Sequence, residues 1–580
     1  MAFSKNFLVV IALLCLGLIG RGVEAQCTCV EILDEWSGNY RGDFSAQTST
    51  GFTGLRVEVT FNNPIERVEF WDGTAEKIDD YHYVFTDDSL VAQPGDTIEF
   101  MFQAVFSGPQ AVVVEARMNG EDVCGIIYTT EQPMTNPCEA TGMTPYDYSQ
   151  VLCMSILFYE AQRSGPLPAD QRVTWRGDSA LTDGADVGLD LTGGYYDAGD
   201  HVKFGFPMAY TATVLAWGLI DFADGYKIAG QTEYGLAAVK WATDYFLKAH
   251  SANYELYGQV GMGSTDHAYW GRPEEMTMER PSMKIDTDKP GSELAGETAA
   301  ALAAASIAFK DVDSAYADEM LAVAKELYDF ADEKRENYHK SIPDAAAYYQ
   351  SWSGYGDELC WAALWLARAT GDDTYLTRAR GHWDEFALSE KAEQFSWDDK
   401  KPGVYALFTL LDGDNIEYST TFQGFLDHIR NDKPYTPGGL VFLDTWGANR
   451  HAANVAFLAL WAAKHNLSPE VNTQFAESQI NYILGDIGHS FVVGYGVNPP
   501  ERPHHRSSSC PDEPSSCTDG WAQQQAGPNP QILYGALVGG PAQDGTYKDD
   551  RMDYVHNEVA CDYNAAFSGL LAAMVEIKSA

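Results

Sequence analysis

Positive charge is what this chain has least of. Against 83 acidic residues stand 38 lysines and arginines, a formal charge of -45 over 580 residues. Such a field repels phosphate backbones and anionic headgroups, so it argues against nucleic acid or a membrane as partner and suits a neutral or cationic substrate. Long apolar runs are missing too: past residue 25 nothing approaches the about 20 unbroken apolar residues that cross a bilayer. The Gly-x-Ser-x-Gly elbow of serine hydrolases is absent, which argues against that nucleophile. No Cys or His pair has zinc spacing, and His504 and His505, adjacent in an extended segment, point opposite ways, which argues against a zinc site.

What is present begins with an export signal. Lys5 supplies the charge, Leu8 to Ile19 the apolar run, and Val23-Glu24-Ala25 a small-residue cleavage site, so residues 1–25 are expected to be removed and the protein secreted. Cys15 leaves with the signal, and the odd number of cysteines that remain leaves at least one unpaired. Cys510 and Cys517 suit a short loop, Cys27 or Cys29 suits pairing with Cys124 or Cys138, and Cys360 reads as buried and free. The only Asn-x-Ser/Thr sequon, at Asn466, is weakened by Pro469.

The length calls for at least two domains. Residues 26–128 read as β: Leu55 to Phe61 and Thr97 to Phe102 alternate with period two between turns such as Gln93-Pro94-Gly95-Asp96, as in a sandwich. A linker over 129–144, rich in Pro and Thr, follows. In residues 145–580 the period turns helical. Tyr148–Ala161, Pro207–Ala223, Tyr234–Ala249, Leu294–Phe309, Ala315–Glu333, Glu358–Ala369, Ala452–His465 and Ala560–Ile577 carry amphipathic or Ala-rich patterns without strand runs between them. Paired helices closed into an α/α toroid are expected, with the chemistry on loops at one end.

Two carboxylates three residues apart, Asp197 and Asp200, stand in Tyr195-Tyr196-Asp197-Ala198-Gly199-Asp200-His201 among glycines that permit a tight loop. Alone they are as easily turn formers. Glu558 opens the last helical pattern, where a first-turn carboxylate also has a bland dipole role. Two histidines and Arg506 follow the proline-locked turn Asn498-Pro499-Pro500, and no helix absorbs them as core.

Together these stretches resemble glycoside hydrolase family 9, inverting cellulases on an (α/α)6 barrel. The motifs that carry the resemblance are Tyr195 to Phe204, the Gly496-Val497-Asn498-Pro499-Pro500 to Arg506 block, Asp549 to Ala565, Asp266 to Glu274 and Asp444 to Arg450. It implies an endo-β-1,4-glucanase acting on cellulose or related β-glucans, with a processive or mixed-linkage glucanase, or a non-catalytic carbohydrate-binding protein, as alternatives. Asp200 is then the general base, Asp197 its assistant and Glu558 the general acid, the pair spaced about 6.5 to 9.5 Å to hold a water between them. His504 and Arg506 would hold sugar hydroxyls, and Asp549 would orient the histidine or bind substrate. Trp270, Trp352, Trp446 and Tyr563 would stack on sugar rings, with buried core as the competing reading, and His267 and Arg450 would add hydrogen bonds. The loop Trp352 to Leu359, with Asp398, resembles the family's calcium loop. Ser353, Gly354, Asp357, Glu358 and Asp398 would offer oxygens to a structural Ca²⁺, although Ser353 as a helix N-cap fits equally. The first domain resembles a type 2 cellulose-binding module, an arrangement found in animal cellulases, with Asp87 and Asp88 in place of one usual tryptophan. Trp36, Tyr81 and Tyr83 are its candidate surface aromatics, and Trp71 is expected in its core. A monomer is expected.

Overall fold

The computed structural model describes residues 25–579 except 28, 37, 62, 108–110, 124–125, 129–133, 513–516 and 518. The expected export signal, the first part of the linker and the side chains of Trp36, Cys27 and Cys124 lie outside the described residues. The chain divides into two compact units, residues 1–132 and 133–580.

The first unit is β, its strands in chain order being β1 (Ala25–Cys27), β2 (Val30–Trp36), β3 (Asn39–Gln47), β4 (Phe52–Phe61), β5 (Arg67–Phe70), β6 (Thr74–Lys77), β7 (His82–Ala92), β8 (Thr97–Val105), β9 (Val113–Met118), β10 (Glu121–Asp122) and β11 (Ile126–Tyr128). A five-stranded antiparallel sheet has β4 (Phe52–Phe61) at its centre, between β7 (His82–Ala92) and β9 (Val113–Met118). A four-stranded sheet pairs β3 (Asn39–Gln47) with β8 (Thr97–Val105). The alternation reads directly as burial: Leu55, Val57, Val59 and Phe61 of β4 and Ile98, Phe100 and Phe102 of β8 all turn inward. Phe85 of the first sheet meets Phe100 and Phe102 of the second at 5.4 and 5.3 Å between ring centres, so both sheets share one aromatic core. Two expectations fail here. Trp71 is 53% exposed, because it follows β5 (Arg67–Phe70) into a tight turn at Gly73. Tyr83 is buried against Phe61, on the inward face of β7, while Tyr81 is exposed.

The second unit holds twelve helices of eleven residues or more among the described residues. They are α1 (Tyr148–Ala161), α2 (Gly205–Asp221), α3 (Thr232–Ala249), α4 (Ser292–Phe309), α5 (Ser314–Glu333), α6 (Gly356–Thr370), α7 (Asp373–Glu385), α8 (Lys401–Leu411), α9 (Ile416–Asp432), α10 (Ala448–Lys464), α11 (Pro469–Asn481) and α12 (Cys561–Ser579). The even-numbered helices pack each on the next, and α12 returns to α2, closing a ring. Their composition explains why they sit inside. In α4, Ser292 to Ser306 is buried all round, which an Ala-rich sequence with small residues allows. Where α2 crosses α12, a Cβ on Gly218 would come within 3.1 Å of the Gly569 Cα. Of the odd-numbered helices α1 is buried on nearly every side, whereas the others bury one stripe, as α5 does through Ala317, Met320, Ala324, Leu327 and Tyr328.

Trp217, Trp361 and Trp365 meet edge to face at 5.5 to 5.8 Å inside the ring, as their helical stripes suggest. Truncating one would cost about 3–5 kcal/mol. Trp241 of α3 is half-buried and donates to the Gly194 carbonyl at 2.9 Å.

A small sheet interrupts the helices where none was expected: β12 (Lys203–Phe204), β13 (Leu256–Val260) and β14 (Ser282–Ile285). Its strands are short, β13 is wholly buried and its pairing with β14 is bulged, so no alternation betrays them. The sheet takes up the chain at Lys203, three residues after Asp200.

Cys138 pairs with Cys153 rather than with an early cysteine, tying the segment before α1 to that helix. Cys510 pairs with Cys517, and Cys360 is a buried thiol. No helix of the described residues is long and apolar enough to cross a membrane.

Candidate active site

Inner helices of a toroid whose outer helices lead back all run the same way, so the loops entering them gather at one end. Those loops hold Asp197 and Asp200 before α2, Ser353 before α6, Trp446 before α10 and Glu558 before α12. Glu558 is not in the first turn of α12, as the pattern suggested. It lies three residues ahead of Cys561, in a parallel bridge with His504, so its carboxylate does not serve as a helix cap.

Main-chain bonds lace three distant motifs together. Cys561 N–H donates to the Asp197 carbonyl (2.9 Å), Arg506 N–H to the Gly199 carbonyl (3.0 Å) and His504 N–H to the Asn557 carbonyl (2.8 Å). Gly199 is required for closeness: a Cβ there would lie 2.1 Å from the His504 carbonyl oxygen. Gly193 and Gly194 make the turn before it, at φ of 91° and 71°.

The carboxylates differ in their partners. Asp200 Oδ1 accepts from Ala198 N–H (3.2 Å) and Oδ2 lies 3.0 Å from His267 Nε2. Burial pushes its pKa up, but the His267 hydrogen bond and charge, then Arg506, outweigh that and hold it below the ordinary value. Asp197 accepts from Tyr349 Oη, yet burial and the charge of Asp200 push it well above the ordinary range. The two neighbouring carboxyls are thus driven apart, Asp197 upward and Asp200 downward. Glu558 Oε2 accepts from Trp446 Nε1 (2.6 Å) and Tyr563 Oη (2.9 Å). Burial pushes it up to about 7, against the pull of those two donors and Arg450. Val559 beside it is fully buried, whereas Tyr554 is exposed and packs on Trp446 at 5.5 Å.

His504 is held down to about 4, by burial first and then Arg506. Its Nδ1 reaches the Arg551 carbonyl at 2.7 Å, so in the neutral ring Nδ1–H donates and Nε2 is left as an acceptor. His505 points the other way: Nε2 meets Gln162 Oε1 (2.8 Å) and Nδ1 accepts from Ser508 N–H (3.0 Å), a structural role.

Several assigned roles shift. Asp549 does not touch His504; it accepts the N–H groups of Glu501 (2.9 Å) and Arg502 (3.1 Å), holding the loop that leads to it. Trp352, 77% exposed, and Trp446 are open ring faces. Trp270, 4% exposed, is no open platform: it donates to Ser509 Oγ and packs edge-on against His504 (5.1 Å) and beneath Arg506 (5.3 Å). Tyr563 and Arg450 are buried as well, one bonded to Glu558 and the other paired with Asp562 (2.9 Å). A bulky ring between motifs is pulled inward by the polar groups it must support. Tyr349 and Gln162 were missed. Gln162 donates to the Ala198 carbonyl (2.6 Å) from the end of α1, and neither residue belongs to a matched motif, although Tyr348-Tyr349 just ahead of Trp352 was a visible aromatic pair.

Two places gather oxygens. Ser353 Oγ lies 3.4 Å from Asp357 Oδ1 and 3.5 Å from Asp398 Oδ1, while burial and then Asp357 push Asp398 up and Asp399 up to about 7. Hard oxygens and clustered buried carboxylates fit Ca²⁺. Glu358 fits less simply, because its Oε1 accepts from Lys400 Nζ at 2.9 Å in a buried pair. Donor atoms of Asp200, Asp266 and His267 also lie within 4.8 Å of one another, but the Arg506 and Arg280 guanidiniums, 3.9 and 3.8 Å from Asp266, already answer that charge.

Carboxylates shifted in opposite directions, one of them hydrogen-bonded by the part-exposed Trp446, make an arrangement suited to the acid and base of a glycoside hydrolase. Glycosyl hydrolase family 9 matches residues 148–571. Endoglucanase B of Cellulomonas fimi is 48% identical over 457 residues, covering 75% of this chain and 43% of that protein. An endoglucanase structure from the termite Nasutitermes takasagoensis superimposes with a TM-score of 0.73 at 58% identity, over 75% of this chain and 99% of that one. Endoglucanase CelQ of Clostridium thermocellum, complexed with cellotetraose, superimposes with a TM-score of 0.66 at 38% identity, over 74% of this chain and 70% of that one. The chain belongs to glycosyl hydrolase family 9 and is a cellulase of the endoglucanase class.

Proposed function

We propose that this family 9 endoglucanase is secreted and hydrolyses internal β-1,4 bonds of cellulose and related β-glucans by single displacement with inversion. Asp200, ionised, takes a proton from a water that attacks the anomeric carbon. Asp197 and Tyr349 hold that water's second side. Glu558, protonated, gives its proton to the glycosidic oxygen as the bond to the anomeric carbon breaks, and solvent returns the proton from Asp200 to Glu558. His504 accepts a sugar hydroxyl at Nε2, Arg506 and His267 donate, and Trp352 and Trp446 stack on pyranose faces. Trp270, Tyr563 and Arg450 brace these groups.

The observation that carries this reading is the opposite direction of the Asp200 and Glu558 shifts, which leaves one base and one acid near neutral pH. Ca²⁺, where bound at Ser353, Gly354, Asp357 and Asp398, would neutralise their charge and stiffen the entry to α6, and those residues take no part in proton transfer. The first unit, read as a sandwich module, would hold the enzyme on β-glucan through exposed Trp71 and Tyr81.

Two experiments test this. The wild type should thin carboxymethyl cellulose and Glu558→Ala should not; unchanged viscosity with wild type ends the endo-hydrolase reading. NMR of the first product should show the α anomer, and initial β anomer would mean retention.

A further inference from the structure

Asp266 is a buried carboxylate with no part in the scheme above. It is 1% exposed, ends the short helix Gly263–Asp266, and its Oδ1 accepts the main-chain N–H of His201 at 3.0 Å. His201 directly follows Asp200. On the other side of the same residue, the His201 carbonyl accepts from Arg280 at 2.7 Å. Arg280 is anchored on Asp183, Nε to Oδ1 at 2.8 Å, and Asp183 also takes Lys203 Nζ at 2.7 Å. The chain leaving Asp200 is thus gripped at its N–H by a carboxylate and at its carbonyl by a guanidinium.

Sheet pairing begins only at Lys203, and the loop's other main-chain bonds, Asp197 N–H to the Val202 carbonyl (3.0 Å) and Arg506 N–H to the Gly199 carbonyl (3.0 Å), flank His201 without engaging it. The neighbour of Asp266 completes the hold: His267 reaches the Asp200 carboxylate itself. Asp266 Oδ2 makes no hydrogen bond, and its charge is met by Arg280 and Arg506.

We propose that Asp266 is a positioning residue for hydrolysis, an inference that rests on Asp200 being the base. By accepting His201 N–H, Asp266 fixes the backbone from which Asp200 aims at water, while His267 fixes the carboxylate. It touches neither water nor sugar. The role needs an acceptor oxygen and not a charge, since a carboxylic acid or a primary amide accepts through its carbonyl oxygen as a carboxylate does.

That distinction sets the test: kcat and KM on a soluble cello-oligosaccharide for Asp266→Asn and Asp266→Ala, read well below each variant's Tm. Asp266→Ala should lose kcat on the order of 10²-fold, the cost of about 1 Å of misplacement, with KM within about threefold. Asp266→Asn should keep most of kcat. A kcat for Asp266→Ala within about twofold of wild type overturns the proposal, as do equal losses in the two variants, which would point to charge or packing alone. If Asp266→Ala does not fold, Asp266→Ser, whose hydroxyl is too short to reach His201, takes its place with the same expectations. Asp200→Asn is measured in parallel: activity retained there sinks the base assignment itself, whatever the Asp266 variants do.

Discussion

Asp200 and Glu558 are both carboxylates shielded from water and close enough for the charge of one to act on the other, and they are held by opposite means. Around Asp200 the partners are basic: His267, itself shifted upward by the contact, on the carboxylate and Arg506 behind it. Around Glu558 they are neutral donors, the Trp446 indole and the Tyr563 hydroxyl, with Arg450 turned toward Asp562. Burial raises both, and at Asp200 the hydrogen bond and charge of His267 together with Arg506 reverse it. The difference teaches that the proton assignment is set by what surrounds each carboxylate and not by depth. A neutral donor steadies a carboxylate's orientation while leaving its pKa high enough to keep the proton.

The largest effect that tests this contrast is loss of either group. Asp200→Asn and Glu558→Gln should each reduce kcat by roughly 10²–10⁴-fold with the fold retained by circular dichroism; either variant above a tenth of wild-type rate breaks the pairing. Next is Tyr349→Phe, which removes the donor to Asp197. It should reduce kcat about tenfold with KM little changed, and an unchanged kcat would mean that Asp197 needs no orientation.

Trp446→Phe sharpens the acid side. Its N–H stabilises the Glu558 anion, so removing it should raise that pKa and move the alkaline limb of kcat/KM up by about one unit, the worth of one charge-assisted hydrogen bond. A downward move would reverse the account of this contact. Smallest is chelation: stripping Ca²⁺ should lower Tm by a few degrees and leave both pH limbs in place, and an unchanged Tm would dismiss the Ser353 to Asp398 site.

Much of this was legible beforehand. Asp197 and Asp200 drew notice as carboxylates among glycines and aromatics, but they and Glu558 took on catalytic roles only through the motif resemblance. Strand alternation in β4 and β8 and the Ala-rich inner helices came through because burial imposes a period. What stayed hidden depends on long-range packing. The sheet over Lys203–Phe204 has strands too short for a period, and Trp270 and Tyr563 share motifs with exposed rings but turn inward to brace polar neighbours. The partner of Cys138 lay within the same unit, 15 residues away, where spacing alone offered several choices. Glu558 looked helical because the apolar pattern of α12 starts just after it, and the bridge to His504 crosses more than fifty residues that no local rule connects.

The measurement that bears most directly on the contrast is the pH dependence of kcat/KM for the wild type on an uncharged cello-oligosaccharide, whose limbs report the free enzyme. Activity needs Glu558 protonated, so it should fall as pH rises through about 7. It needs Asp200 ionised, so the acid limb should lie below the ordinary carboxylate value of about 3.9. An alkaline limb near 7 that Trp446→Phe moves upward supports the account. A rate flat from about pH 6 to 9, or an acid limb above about 5, contradicts it.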